Sequence, residues 1–212
     1  MDIDIYGTKT RLAGYASMTY NATAIRSAMQ RKGYAYFESG DYNLNIIGVR
    51  NSVTGKVITN WFDDVLTVSY KLRGEQMFHQ WPITTDPGLK GAITYDNPKG
   101  VARLVPGQYR GAYQLGLHRG RYKALVQRKP VTVWRDSDRD KEYDELRTDN
   151  GLFGINIHKA GRDSVIVDNW SHGCQVFKRS AEYDEFIKLC EFSRELYGNS
   201  LTYTLLTSND IK

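Results

Sequence analysis

The feature that most constrains this chain is its punctuation: short β-favouring runs are cut apart by Gly, Pro and Asn signals, and helical periodicity is confined to two places. The runs predict strands at 43–50, 64–72, 75–84, 101–105, 110–117, 123–127, 130–135, 152–158, 164–168 and 201–206. Asp86-Pro87-Gly88, Asn97-Pro98-Lys99-Gly100 and Pro106-Gly107 mark turns between them. One helix spans 21–32, with Asn21 or Thr23 as cap, a stripe of Ala24, Ile25, Ala28 and Met29, and Gly33 as its stop. The other, 181–197, is opened by Ser180 and stopped by Gly198, and its stripe of Tyr183, Phe186, Ile187 and Cys190 makes Cys190 a small core residue. The pattern predicts a mainly β fold, a β-sandwich or mixed sheets with few helices. Residues 1–60 form an α+β annex packed on a body of 61–212.

At 212 residues, 41% hydrophobic and 12% aromatic, the chain has the means to bury a full core. Its net charge of +5 suits an acidic partner, nucleic acid or an anionic cell wall. The main basic cluster, Arg110, His118, Arg119, Arg121, Lys123, Arg128 and Lys129, lacks a nucleic-acid-binding motif and reads as a solvated face. Nucleic acid is therefore not the expected partner, and no apolar run is long enough to span a membrane.

Chemistry concentrates in Trp170-Ser171-His172-Gly173-Cys174-Gln175-Val176-Phe177, with His158 sixteen residues before the cysteine. A thiol is mostly protonated at neutral pH and only its thiolate attacks a carbonyl carbon well, so a catalytic cysteine needs an imidazole or another positive group nearby. A hairpin around 159–163, joining strands at 152–158 and 164–168, would bring His158 opposite the Cys174 turn. The N–H groups of Gly173 and Cys174 are candidates to face a developing oxyanion, and Gly173, lacking Cβ, admits close approach of a substrate. His172 is a candidate to orient the base, line the pocket or move a proton itself.

A histidine, a gap and then Ser171-His172-Gly173-Cys174 resembles the L,D-transpeptidase catalytic-domain family, the YkuD-like fold, which acts on peptidoglycan stem peptides. The resemblance implies Cys174 as nucleophile and His158 as base, with Ser171, His172 and Gly173 shaping the pocket. It covers residues 60–180, where 64–73 and 76–84 look like the family's opening strand pair and 101–107 like its substrate-side segment. Val176 stands where the family usually has an arginine and Lys159 where it usually has a glycine; Lys178 or Arg179 would be the substitute cation. The activity implied is cysteine-dependent acyl transfer on peptidoglycan peptides, as an L,D-transpeptidase or L,D-peptidase with no cofactor, and 61–212 becomes the catalytic domain. A non-enzymatic virion or wall-binding protein retaining the fold is the other class. Papain-like and NlpC/P60-like peptidases are disfavoured, because their cysteine precedes its histidine and no histidine follows Cys174.

Metal readings are weaker. A zinc site of His158, His172 and Cys174 lacks a fourth ligand with suitable spacing. Asp136, Asp138 and Asp140 alternate like a calcium loop, but Lys141 replaces the loop glycine and Arg147 the bidentate acid, so a solvated charged turn is expected. The opening Met1–Lys9 is acidic where an export signal is basic. Beside the resemblance, this implies a bacteriophage enzyme, held in the host cytoplasm before lysis or carried in the virion.

Overall fold

The computed structural model describes residues 19–211. The stretch Met1–Lys9, read above for an export signal, lies outside the described residues.

Helix α1 (Ala22–Arg31) begins where Asn21 accepts the Ala24 N–H at 2.9 Å, one of the orphan donors of a first helical turn. It buries Ile25, Ala28 and Met29 against Ile47, Val49 and Leu206. Strands β1 (Asn45–Arg50), β2 (Asp64–Leu72) and β3 (Glu75–Thr84) follow, β2 and β3 joined through Arg73-Gly74, both at positive φ as a tight hairpin turn demands. After the short helix α2 (Leu89–Ile93) come β4 (Val101–Leu104), β5 (Gly107–His118), β6 (Tyr122–Gln127), β7 (Val131–Asp136) and β8 (Thr148–Gly151). The chain ends with β9 (Ile157–Lys159), β10 (Gln175–Phe177), α3 (Ser180–Tyr197) and β11 (Leu201–Thr207).

Eight strands close into a barrel in the order β1-β11-β5-β6-β9-β10-β3-β2, and β4-β7-β8 form a separate sheet. The mainly β, mixed-sheet expectation agrees with this, but the sandwich does not: β1 pairs with both β11 and β2 and so leaves no edge between them. The same strand joins the segment expected as an annex, 1–60, to the body, because residues 45–50 are barrel staves. Helix α3 covers the barrel with the expected stripe. Phe186 stacks on Phe177 at 5.1 Å and meets Trp81 edge-on at 6.3 Å, while Tyr183 donates to the Lys123 carbonyl at 2.7 Å. No described helix is long and apolar enough to cross a membrane.

Two local expectations change. The segment 164–168 is not a strand: Val165 and Ile166 are exposed, and a single bridge from Ile166 to Trp61 is all it contributes. The hairpin meant to bring His158 to Cys174 is replaced by parallel pairing of β9 with β10, in which Val176 lies opposite His158. In the acidic turn, Asp138 accepts from the Asp140 N–H and Asp140 from the Glu142 N–H, so these carboxylates brace their own loop. Among the described residues no group of three His, Cys, Asp or Glu side chains is arranged to hold a metal ion.

Candidate active site

Cys174 enters β10 two residues before Val176, the partner of His158 on β9. Side chains alternate along a strand and paired residues of parallel strands share a face, so Cys174, Val176 and His158 belong to one side of the sheet. If strand geometry were continued back to Cys174, its Cα and that of His158 would be about 8 Å apart.

The His158 imidazole is oriented by the backbone. His158, 4% exposed, has Nδ1 at 2.9 Å from the Lys159 carbonyl oxygen, which can only accept. Nδ1 therefore carries the proton and Nε2 the lone pair. Tyr122 holds the same carbonyl with its hydroxyl at 3.3 Å. Burial, the neighbouring His118 and the Arg119 charge bring the His158 pKa down to about 4, against the Lys159 bond. The imidazole is thus neutral and a competent proton acceptor at pH 7.

The thiol is partly accessible and makes no hydrogen bond to His158. Its sulfur accepts the Asn156 N–H at 3.5 Å and donates to the Gly154 carbonyl at 3.4 Å. Burial raises its pKa, while the Asn156 N–H and Arg119 pull the other way. The resting pair is thiol and imidazole, not the thiolate beside an imidazolium that sequence reasoning leads one to expect; low dielectric disfavours both charged forms.

The Ser171–Cys174 loop is stapled from within. Ser171, fully buried, accepts the Gly173 N–H at 3.1 Å and donates to the Cys174 carbonyl at 2.8 Å. The Gly173 N–H is therefore committed and does not serve an oxyanion; the Cys174 N–H, without a partner among the described residues, remains. Gly173 is required for a different reason than substrate approach. At φ +124 its missing Cβ would lie 2.0 Å from the Ala102 carbonyl oxygen, so the loop packs on β4 where no other residue fits. Beneath it Gln175, fully buried, donates to the Gly173 and Thr85 carbonyls and accepts the Tyr203 hydroxyl at 2.8 Å. Thr85 is held in turn by Arg50, which shares Asp86 with Arg103 at 2.8 and 2.9 Å. His172 is exposed and turned to Asn169 Oδ1 at 2.8 Å, so it lines the rim and touches neither His158 nor the sulfur.

Sequence reasoning missed a third histidine. His118, assigned above to a solvated basic face, is buried and stacks on His158 with ring centroids 4.1 Å apart. Its Nδ1 accepts the Asn156 side-chain amide at 3.2 Å, an orientation fixed because the Gln127 N–H occupies Asn156 Oδ1 at 2.9 Å. His118 and Asn156 together hold the N–H that meets the sulfur. The signal was present in Gly154-Ile155-Asn156-Ile157-His158, where alternation puts Asn156 on the His158 face. A cleft of about 290 Å³ is lined by Tyr122, Lys159, Tyr183 and Asp184 among others, but Cys174 is not one of its walls.

Of the two cations expected to substitute at the Val176 position, Arg179 is paired with Glu182 and Asp163. Val176 itself is fully buried. Comparison of the chain with protein-family models, with curated proteins and with solved structures finds no match.

Proposed function

We propose that this protein is a cysteine acyl-transfer enzyme acting on peptidoglycan stem peptides, of the L,D-transpeptidase or L,D-peptidase kind. One observation carries the reading: His158, its Nδ1–H tied to the Lys159 carbonyl, offers a bare Nε2 on the strand beside Cys174. A buried histidine with a purely structural part has no need of a nitrogen left without a partner on the strand paired to the cysteine's own.

In this reading Nε2 takes the thiol proton as Sγ attacks the substrate carbonyl, so charge forms only when a substrate is present. The oxyanion develops beside the Cys174 N–H. Collapse expels the leaving amine, which takes the proton back from Nε2–H and leaves a thioester on Sγ. An amine or water then attacks the thioester, giving up its proton to Nε2, and the thiolate departs. An amine makes a cross-link; water cuts the peptide. Gene origin in a bacteriophage, with the protein waiting in the host cytoplasm or travelling in the virion, belongs to the same proposal.

A second reading, a wall-binding protein that retains the fold, is favoured by the absent Cys174–His158 hydrogen bond and by the raised thiol pKa. Incubation with purified muropeptides and mass spectrometry of the products separates the two. The expected result is cross-linked or shortened peptides with the wild-type chain and none with Cys174→Ala, whose melting temperature should be close to wild type. Unchanged muropeptides with folded wild-type protein would leave the binding reading standing.

A further inference from the structure

The carbonyl that orients His158 lies outside the sheet's hydrogen-bond ladder. Strands β6 and β9 share a single pair, Leu125 with Ile157, and the next pair in that register, Lys123 with Lys159, does not form. The Lys123 carbonyl accepts the Tyr183 hydroxyl at 2.7 Å instead, which leaves the Lys159 carbonyl to meet the imidazole at 2.9 Å. On the other side of β9, bonds to β10 fall on Asn156 and Ala160, not on Lys159. The hold on residue 159 comes from its side chain. Nζ lies 5.9 Å from the centroid of the Tyr122 ring and 5.6 Å from that of Tyr183, two rings that meet at 84°, and it pairs with Asp184 of α3 at 3.1 Å. Ring faces attract a cation, and the carboxylate closes the third side of the cage. All four residues line the cleft of about 290 Å³ between α3 and the barrel.

Tyr122 offers the imidazole a second way to bond. Its hydroxyl is 3.3 Å from the Lys159 carbonyl oxygen and 3.3 Å from His158 Nδ1, and it has one proton to donate. With that proton on the carbonyl, Nδ1 keeps its own hydrogen and Nε2 is bare. With it on Nδ1, a neutral imidazole must carry its hydrogen on Nε2, which then accepts nothing. The carbonyl decides, because an Nδ1 lone pair facing a carbonyl oxygen at 2.9 Å is repelled. The tautomer therefore depends on where the carbonyl of residue 159 stands.

We propose that the Lys159 ammonium, caged by Tyr122, Tyr183 and Asp184, is a positioning group that selects the Nδ1–H tautomer of His158, and that the Tyr122 hydroxyl captures Nδ1 when the cage is emptied. This rests on the reading of His158 as base and adds its control: the Nε2–H form cannot take the thiol proton. The controlling charge sits on the α3 side of the imidazole, in a cleft of which Cys174 is not a wall.

Two-bond proton–nitrogen spectra of the full chain, labelled with 15N-histidine and held at pH 7, report which ring nitrogen bears the hydrogen. The His158 signal is assigned by its loss in His158→Gln. Wild type should show Nδ1–H. Lys159→Met keeps the stem and removes the charge, and it should move the tautomer ratio at least about tenfold toward Nε2–H, or about 1.4 kcal/mol. Asp184→Asn, made on the exposed side of α3 without touching β9, should move it the same way by less. Lys159→Arg should keep the wild-type form, since a guanidinium also binds ring faces and a carboxylate. Tyr122→Phe added to Lys159→Met removes the competing donor and should return the hydrogen to Nδ1. A ratio unmoved in both Lys159→Met and Asp184→Asn, a shift in Lys159→Arg as large as in Lys159→Met, or a double variant that stays Nε2–H overturns the proposal. The tautomer is read without turnover, so the two proposals fail separately. The expected tautomers without muropeptide conversion remove only the acyl-transfer reading, and conversion by a chain whose tautomer ignores Lys159 removes only the positioning role.

Discussion

A histidine buried in neutral form leaves a mark on stability as well as on chemistry. His158 titrates at about 4 when folded and near 6.5 when unfolded, so above pH 6.5 neither state is charged and the residue is silent. As pH falls below 6.5 the unfolded chain binds a proton that the folded chain refuses, and stability drops until about pH 4, by about 3 kcal/mol in all. His118, whose pKa burial also lowers, adds to the slope in the same direction. Urea titrations between pH 7 and 4.5 should therefore show a steeper loss in the wild type than in His158→Gln; parallel curves would contradict the assignment of a neutral base. The acid limb of kcat/KM should likewise fall well below 6.5. Residue placement was readable at this scale: His158 and the Ser171–Cys174 segment do come side by side, on β9 and at the start of the strand paired with it. Residue partnership was not. His118 sits among arginines in the chain, and only the β5–β6 hairpin turns it inward while leaving Arg119 outside. Gly173 was singled out for its missing Cβ, but the neighbour that requires it, Ala102, is 71 positions away, and no local pattern announces that contact.

Among the elements, the loop bearing the thiol depends on charges that never touch it. Asp86 is shared by two buried arginines; burial opposes its ionisation, yet Arg103 and Arg50 hold its carboxyl below the usual range. Removing one member of a buried set leaves the others uncompensated, so Asp86→Asn should cost about 3–5 kcal/mol by denaturant titration. It should also loosen Thr85, and with it the Gln175 clamp under Gly173. A loss below about 1 kcal/mol would mean that solvent or rearrangement compensates the arginines. Long elements were legible for local reasons. The strands at 64–72 and 75–84 carry a tight Arg-Gly turn between them, and 22–31 carries its own Asn21 cap. The strand β10 was not legible, because three residues show no period and its pairing with β9 is imposed from outside. Ser164-Val-Ile-Val167 misled for the opposite reason: it has strand composition, but Asn60 caps it from across the fold and no neighbouring strand is offered.

At the scale of the whole molecule, closure joins the ends of the described sequence. Strand β11 lies between β1 and β5, and its Tyr203 hydroxyl approaches Gly48 so closely that a Cβ there would sit 2.0 Å away. A chain truncated after Ser200 would open the barrel and leave β1 and β5 each with one unpaired edge, and it should show no cooperative urea transition. A sharp transition in that truncation would show that the remaining strands close without β11.

The position of β11 also sets an order of events during synthesis. The ribosome delivers Cys174 well before Tyr203, so for an interval the nascent thiol has neither the Gln175 clamp beneath it nor a closed wall around it. In that interval its pKa is that of an ordinary cysteine, and oxidants reach it as they would any exposed thiol. When the last strand docks, burial raises the pKa and withdraws the sulfur from casual chemistry. The folded protein thus keeps the Cys174 thiol protonated by the same burial that keeps His158 neutral, and the thiol is at its most vulnerable before β11 has docked.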